Sequence, residues 1–403
     1  MTRLRRPRPV NPLWLVALVA FVGLCGPPSG AAAVTGKPIG QLPNVALQLT
    51  SYGGYVVFSE LGATGRWQLM VWHHGSASTL AVPERTVPFD ASAGPSANGA
   101  PTVVFSKCTR EPPTEPASPE IQAPPPDWSR AVGCHIYELA LPDGTPRLVR
   151  GLNAPPASDS TPAIWRGDIA FARISRRSRV PTLYVRNHAN GRLRRVGGGP
   201  SSCPALAGVF EGSFCKRPHA HLSAWVDGMS LDGDALVYQW ILPQNDERPF
   251  GTPYAEIRVD PLRAGRQAAP SQVVYLSIAG GACNGEQGGS PDAVGGSVLY
   301  IWHFSVCGKS AEKPVSAIGS YAIATRKHSG ARVNPGIAVA VAQDRGTTYW
   351  IRDTFNEENP QLCRSGPGTC DTEGFDYAKS CAPAHSTCTL MQTNNLTSKL
   401  KPG

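Results

Sequence analysis

The amino-acid sequence predicts an all-β fold that is assembled from repeated small sheets and held together by disulfides. Glycine (42 residues) and proline (39 residues) are frequent in the 403-residue chain, and both disfavour helix interiors. A glycine turn followed by a β-rich run recurs along the chain. Ten of the eleven cysteines lie beyond the N-terminal segment, an even number that suits disulfide pairing.

The repeated stretch combines a glycine turn with an apolar run that carries an aromatic residue. It occurs six times, at 51–60 (SYGGYVVFSE), 96–107, 165–173, 230–240 (SLDGDALVYQW), 293–303 and 343–352. A second strand with its own turn follows in most units, as in TLYVRNHANGRLRRV (182–196). The rough alternation of apolar and polar residues is typical of half-buried strands that are joined by hairpins.

One such unit cannot bury both faces of its sheet, whereas radial stacking of units buries them all. We therefore expect a β-propeller of about six blades (five to seven), with loop insertions and a Cys-rich C-terminal tail. The single domain is predicted at residues 34–388, with a Cys-rich loop segment at 356–388. Residues 389–403 are expected to be a frayed tail.

The stretch from Ser230 to Tyr238 resembles the SPDG-x-x-[IL]-[AV]-[FY] signature of TolB-like propellers, whose repeats are also called WD40-like or PD40 repeats. Leu231 departs from the usual proline of that signature, and most other copies keep the glycine and the aromatic but lose the Asp. The resemblance covers residues 45–355 and implies a bacterial, exported propeller. It implies little about chemistry, because this fold carries many functions.

Asp232 is interpreted as a turn residue, because a short acidic side chain can accept a hydrogen bond from nearby backbone while Gly233 supplies a positive φ. A calcium site is the alternative. It would need more oxygen ligands than Asp232 and Asp234 provide locally.

Residues 1–33 have the pattern of a secretory signal peptide: four arginines, an apolar core from Leu13 to Cys25, and small residues before Val34. An uncleaved N-terminal anchor is the alternative. Export predicts a secreted or envelope-associated protein. Removing the four arginines lowers the formal charge from +9 to +5, too little to favour nucleic acid.

Export also predicts five disulfides, since the ten remaining cysteines would lie in an oxidising compartment. Pairing of sequence neighbours is the most economical connectivity, although the sequence leaves other connectivities and some free thiols open. No CxxC occurs, so zinc-ribbon spacing is absent. The expected pairs are Cys108–Cys134, Cys203–Cys215, Cys283–Cys307, Cys363–Cys370 and Cys381–Cys388.

Three further features could carry function. The proline-rich insertion 109–133 is either a simple surface loop or a contact loop that is anchored by Trp128. His219 and His221 are weak candidates for a metal site, and a polar loop is the favoured interpretation. A cluster of arginines predicts either a solvated face or a surface for an anionic partner, such as envelope lipid or polysaccharide: Arg173, Arg176, Arg177, Arg179, Arg192, Arg194 and Arg195.

The catalytic motifs HExxH, GxSxG, GxxxxGK[ST] and GxGxxG are absent, and no cofactor is expected. We therefore predict a binding or scaffolding module. The alternative is an extracytoplasmic enzyme of hydrolase or lactonase type with a site at the central channel. Inward Asp, Glu, Asn or His side chains from several blades would favour the enzyme, and an apolar plug would favour binding.

Overall fold

The computed structural model describes residues 33–113, 126–152, 156–175, 178, 180–197, 199, 224–242, 253–263, 265–278, 285–305, 315–333, 335–355, 381, 386–394 and 396. These residues form six sheets, antiparallel except for the pairing of Ala33–Val34 with Arg332–Val333, and the predicted six-bladed β-propeller is confirmed. No helix within the described ranges is long and apolar enough to cross a membrane.

Each blade is a sheet of four main strands that runs outward from the propeller axis. Two N-terminal strands, β1 (Ala33–Val34) and β2 (Lys37–Leu42), are added to the edges of blades five and six. The strands of blades one to three, from the inside outward, are β3 (Ala46–Tyr52), β4 (Tyr55–Leu61), β5 (Trp67–His73) and β6 (Ser76–Thr79); β7 (Ser92–Pro95), β8 (Pro101–Lys107), β9 (His135–Ala140) and β10 (Arg147–Leu148); and β11 (Ser158–Trp165), β12 (Asp168–Ile174), β13 (Thr182–Arg186) and β14 (Leu193–Val196).

Blade four has a hairpin extension, β18, on its third strand. The strands of blades four to six are β15 (Trp225–Asp232), β16 (Ala235–Ile241), β17 (Pro253–Arg263), β18 (Arg266–Gln267) and β19 (Gln272–Ile278); β20 (Gly285–Val294), β21 (Ser297–Ser305), β22 (Val315–Ala322) and β23 (Lys327–Val333); and β24 (Ile337–Asp344), β25 (Thr347–Phe355) and β26 (Ser386–Asn394). A short 3-10 helix, Trp128–Arg130, lies near the end of the insertion in blade two.

The repeated glycine turn joins the first and second strands of every blade, as Gly233 does between β15 and β16 with a φ of +33°. The aromatic that follows lies on the second strand and is at most 6% exposed. Each of these rings packs in an apolar core between neighbouring blades, which explains why the motif repeats. The six rings are Phe58, Phe105, Phe171, Tyr238, Tyr300 and Tyr349.

The ring is closed by β2, which pairs antiparallel with β26 and so completes blade six with a strand from the N-terminal part of the chain. The prediction of a frayed tail from residue 389 is therefore wrong for residues 389–394. These residues lie between β25 and β2, and Leu390 and Met391 are buried. Pairing on both sides satisfies their backbone groups and fixes them in the sheet.

The innermost strands β3, β7, β11, β15, β20 and β24 contact one another in a closed ring around the axis. Five of them contain a β-bulge at similar depth, for example between Leu47 and Leu49 in β3 and between Val226 and Gly228 in β15. A bulge adds one residue to one strand and turns its side chain away from the regular alternation. The bulges therefore decide which side chains line the channel.

Candidate functional site

A polar cavity of about 70 Å³ lies at the centre of the ring of innermost strands. Residues of blades one, three, four and five and of the loop before blade two contribute to its wall. Three carboxyl groups line it, those of Asp90, Asp227 and Asp292. Inward acidic residues from different parts of the ring are the lining that the enzyme alternative predicts. The three carboxyl groups differ, however, in the contacts that they make.

Three wall residues other than glycine have a positive φ: Gln48 (+53°), Thr161 (+47°) and Ser290 (+50°). All three lie at the bulges of their innermost strands. This backbone conformation costs roughly 1–3 kcal/mol for such residues and persists only where surrounding structure enforces it. Part of the backbone strain of the described residues therefore lies in the wall of the cavity.

Asp90 is fully engaged by the protein itself. Its Oδ1 accepts hydrogen bonds from the backbone N–H of Ser106 (3.0 Å) and from the guanidinium of Arg85 (3.3 Å). Its Oδ2 accepts from the hydroxyl of Ser106 (2.6 Å) and from the backbone N–H of Thr161 (2.7 Å). Because Thr161 belongs to blade three, Asp90 ties two blades together beside the channel.

Asp292 has a similar bridging role. Its Oδ1 accepts from the hydroxyl of Ser230 in blade four (2.6 Å), and its Oδ2 accepts from the backbone N–H of Gln343 in blade six (2.7 Å). Burial raises the pKa of Asp292 to about 6, although these hydrogen bonds oppose the rise. Asp292 thus connects three consecutive blades.

Asp227 differs from the other two acids, because its shielded Oδ1 has no hydrogen-bond partner. Burial, with a smaller contribution from the negative charge of Asp90, raises its pKa to about 7. Two more shielded oxygens in the same wall also lack partners, Oε1 of Gln48 and Oγ1 of Thr161. Buried polar atoms without a protein partner also occur elsewhere in the described residues, so what distinguishes these three is that they line one cavity.

The insertion in blade two supports the site from outside. Arg85, only 4% exposed, pairs with Asp90 on one side and with Glu111 of the insertion on the other (both 3.3 Å). The guanidinium also lies 5.4 Å from the ring centre of Trp128. Trp128 is 2% exposed and packs beside Cys134, so this ring anchors the insertion to the propeller and is not an exposed contact.

Two of the five expected disulfides lie within the described residues, and both are formed: Cys108–Cys134, which closes the base of the insertion, and Cys381–Cys388 in blade six. The remaining six cysteines lie outside the described residues, as do the metal candidates His219 and His221. Within the described ranges, no group of three or more His, Cys, Asp or Glu side chains could hold a metal ion.

The predicted arginine surface is distributed over several environments. Arg173 forms a two-point ion pair with buried Asp159 (2.6 and 2.7 Å) and lies over the ring of Phe171. Arg192 and Arg195 are exposed and Arg194 is half-buried, on or beside the outer strand β14. Arg176, Arg177 and Arg179 lie outside the described residues.

Asp232 is a turn residue, but its side chain acts across a blade boundary. Its Oδ2 accepts from the backbone N–H of Gly295 in the turn of blade five. Sequence reasoning also missed Gln48, Thr161 and Asp227. The signal that could have found Asp227 is an acid followed by glycine inside a β-rich run, WVDGMS (225–230).

No family model matches the chain, and no curated protein matches it in sequence. Solved structures resemble it in fold. A puromycin-hydrolysing peptidase of Mycobacterium tuberculosis shares 13% identity, with a TM-score of 0.42 over 92% of this chain and 55% of that one. The propeller domain of the Trilobed protease of Pyrococcus furiosus shares 8% (TM-score 0.36, 78% and 80% covered).

An oligogalacturonate lyase of Vibrio parahaemolyticus also shares 8% identity, with a TM-score of 0.39 over 78% of this chain and 72% of that one. The chain spans about half the length of the mycobacterial peptidase. At these identities the similarities concern the propeller fold and carry no argument about activity.

Proposed function

We propose that this protein is an exported β-propeller that binds a small polar group of its ligand in the central cavity. One observation carries the proposal: the unpartnered oxygens of Gln48, Thr161 and Asp227, from three different blades, surround the same cavity. A ligand that supplies hydrogen bonds to these atoms would remove the cost of leaving them buried and unpaired.

Binding is favoured over catalysis because two of the three cavity acids are already used in holding the blades together. Asp90 accepts four hydrogen bonds, and both oxygens of Asp292 are engaged. Hydrolysis by carboxylates generally requires two groups with separate roles on the substrate. Asp227 alone retains an oxygen for a ligand.

The enzyme alternative is supported by the pKa of Asp227, about 7, which suits a general acid near neutral pH. A hydrolase or lactonase would turn over chromogenic esters or lactones, and replacing Asp227 by Asn would remove that activity. Absence of turnover of these substrates by the parent protein would contradict the enzyme alternative and retain the binding function.

Action outside the cytoplasm is part of the proposal. The disulfides Cys108–Cys134 and Cys381–Cys388 suit an oxidising compartment. The proposed partners are envelope components, either a protein or an anionic lipid or polysaccharide. Exposed Arg192 and Arg195 would supply the contact with an anionic partner.

The test is a thermal-shift screen of the mature, disulfide-bonded protein against amines, sugars, carboxylic acids and small peptides. A ligand that binds only the folded state stabilises it by RT ln(1 + [L]/Kd) and so raises the melting temperature as its concentration increases. We expect at least one class of compound to stabilise the parent protein but not the cavity variants Asp227→Asn and Thr161→Val. The control is Asp143→Asn, at an exposed position, and it should be stabilised as the parent is. If every stabilising compound acts equally on all four proteins, the site is not in the cavity.

A further inference from the structure

We infer that the group held in the cavity is a primary ammonium group, such as the end of a lysine side chain, a free N-terminus or an alkylamine. The inference rests on the proposed function, because it names the chemical class of ligand for the same cavity. Three properties of the cavity support it: the hydrogen-bonding character of the unpartnered atoms, the charges of the acids in its wall, and its volume.

The unpartnered atoms are all able to accept hydrogen bonds. The Oε1 of Gln48 is an acceptor only, an ionised Asp227 is an acceptor only, and the hydroxyl of Thr161 can accept. An ammonium group has three donors and no acceptor, so it matches one donor to each of the three oxygens. A carboxylate or phosphate ligand would instead place its own acceptor oxygens against the acceptor oxygens of the cavity.

The charges of the acids around the cavity also favour an ammonium ligand. The negative charge of Asp90 is already compensated by Arg85 at 3.3 Å. Among the described residues, neither Asp227 nor Asp292 has a lysine or arginine within 4 Å. Their negative charges are therefore not compensated when they ionise. Burial also raises the pKa of Asp227 to about 7 and that of Asp292 to about 6. A bound cation would supply that compensation.

The size of the cavity limits what can enter. About 70 Å³ has room for roughly five water molecules at about 10–15 Å³ each. That space has room for a head group of a few heavy atoms. The rest of a larger ligand would therefore remain at the mouth of the channel, and the ammonium end would be the part that is recognised.

Binding should strengthen as pH rises. The ammonium group of a lysine side chain or an alkylamine keeps its proton well above neutrality, whereas Asp227 must lose its own before it can attract a cation. The charged groups near Asp227 are Asp90, whose negative charge contributes to its raised pKa and which pairs with Arg85, and Asp292, which lines the same cavity and interacts with Asp232. The raised pKa of Asp292 acts in the same direction. Affinity should increase from pH 5 to pH 8 and then level off.

The experiment titrates the mature protein with three small probes, monitored by ligand-observed NMR. Ethylammonium carries both charge and N–H donors, tetramethylammonium carries charge without donors, and ethanol carries a donor without charge. We expect saturable binding of ethylammonium alone. Asp227→Asn should weaken it about tenfold or more, since a charge-assisted hydrogen bond is lost. Exposed Asp143→Asn should leave it unchanged, and circular dichroism should show that both variants are folded.

The outcomes separate this inference from the function on which it rests. Equal binding of tetramethylammonium and ethylammonium would overturn the donor argument, and equal affinity of the parent and Asp227→Asn for ethylammonium would overturn the ammonium site. Binding of neutral or anionic compounds that Asp227→Asn or Thr161→Val abolishes, with no ethylammonium binding, would overturn the inference and leave the cavity function standing. If no probe and no compound of the wider screen depends on cavity residues, both fail.

Discussion

The carboxylate of Asp344, at the end of the innermost strand of blade six, accepts a hydrogen bond of 2.7 Å from the backbone N–H of Gly54 in the first turn of blade one. Asp232 makes the same connection from blade four to Gly295 of blade five. The acid at the end of an inner strand therefore joins one blade to the turn of the next. The Asp344 contact does so where the ring closes.

We expect Asp344→Ala to lower the free energy of unfolding by about 1–2 kcal/mol, because a hydrogen bond to a charged acceptor is lost at a site where water can partly replace it. Asp344→Asn keeps an oxygen acceptor and should cost less. Urea unfolding at pH 7 measures both, with exposed Asp143→Ala as the control. Equal stability of Asp344→Ala and the control would show that the contact does not hold the ring closed.

Gly233→Val should destabilise the protein more than Gly75→Val. Both glycines have a positive φ (+33° and +88°), so both changes impose backbone strain of roughly 1–3 kcal/mol. Only at Gly233 would the new Cβ also lie 2.8 Å from the indole Nε1 of Trp165 in blade three, whereas nothing lies within 4 Å at Gly75. Thermal unfolding of the two variants should give the lower melting temperature for Gly233→Val, and the reverse order would contradict the blade contact.

The repeated turns and their aromatics could be predicted from sequence, because both depend on local chemistry: a glycine that permits positive φ and an apolar run behind it. The partner of Asp232 could not, since Gly295 lies 63 residues further along the chain. The closing strand β2 was missed for a related reason. KPIGQL is a mostly exposed edge strand with little apolar alternation, and its partner β26 lies near the other end of the chain.

The sequence predicted a central channel but did not identify the side chains that line it. Which side chains enter it depends on the bulges of the inner strands, and a bulge is set by pairing with the next strand rather than by the residue itself. The glycine after Asp227 signals an irregular strand, but it does not show that the side chain of Asp227 enters the channel. Gln48 and Thr161 carry no sequence signal at all, because their positive φ is imposed by their surroundings.

Alkylation of the native protein without reduction should leave Cys108, Cys134, Cys381 and Cys388 unmodified, because all four are in disulfides. The five-pair prediction extends this to all ten cysteines beyond Cys25. Intact-mass analysis before and after reduction measures the number of labels. Two or more labels without reduction would contradict the five-disulfide prediction, and peptide mapping would show whether either observed pair is affected.

The stability difference between Asp227→Asn and the parent should grow with pH. The folded pKa of Asp227 is about 7, above its unfolded value of 3.8, so between these values the folded state binds more protons than the unfolded state. The parent therefore loses stability as pH rises through this window, at about 1.4 kcal/mol per pKa unit of difference at most. The neutral Asn avoids that loss.

Urea unfolding of both proteins from pH 4 to pH 8 measures this difference. It should be small at pH 4, increase between pH 4 and pH 7, and stay constant above. Asp292 contributes a loss in the same direction, but equally in both proteins. A difference that does not change with pH would mean that Asp227 ionises as it does in water and is not shielded.

Arg85 connects Glu111 of the insertion in blade two to Asp90 of the channel wall. We therefore expect the insertion to stabilise the channel wall through Arg85. Arg85→Met leaves the buried Asp90 without its cation, and breaking a buried pair in this way costs about 3–5 kcal/mol. Arg85→Lys keeps a charge but cannot span both acids, so its cost should be intermediate. Arg66→Met, at an exposed arginine that donates to the backbone oxygen of Glu84 and interacts with its exposed carboxylate, serves as the control and should cost well under 1 kcal/mol.

A double-mutant cycle separates the loss of packing from the loss of charge pairing. If the cost of Arg85→Met comes from an uncompensated Asp90, then the double variant with Asp90→Asn should cost clearly less than the sum of the two single variants, since the neutral amide needs no cation. If the packing of the guanidinium against Phe89 and Trp128 dominates instead, the two costs will simply add. Urea unfolding of the four proteins distinguishes these cases, and strict additivity would rule out electrostatic support of the channel by the insertion.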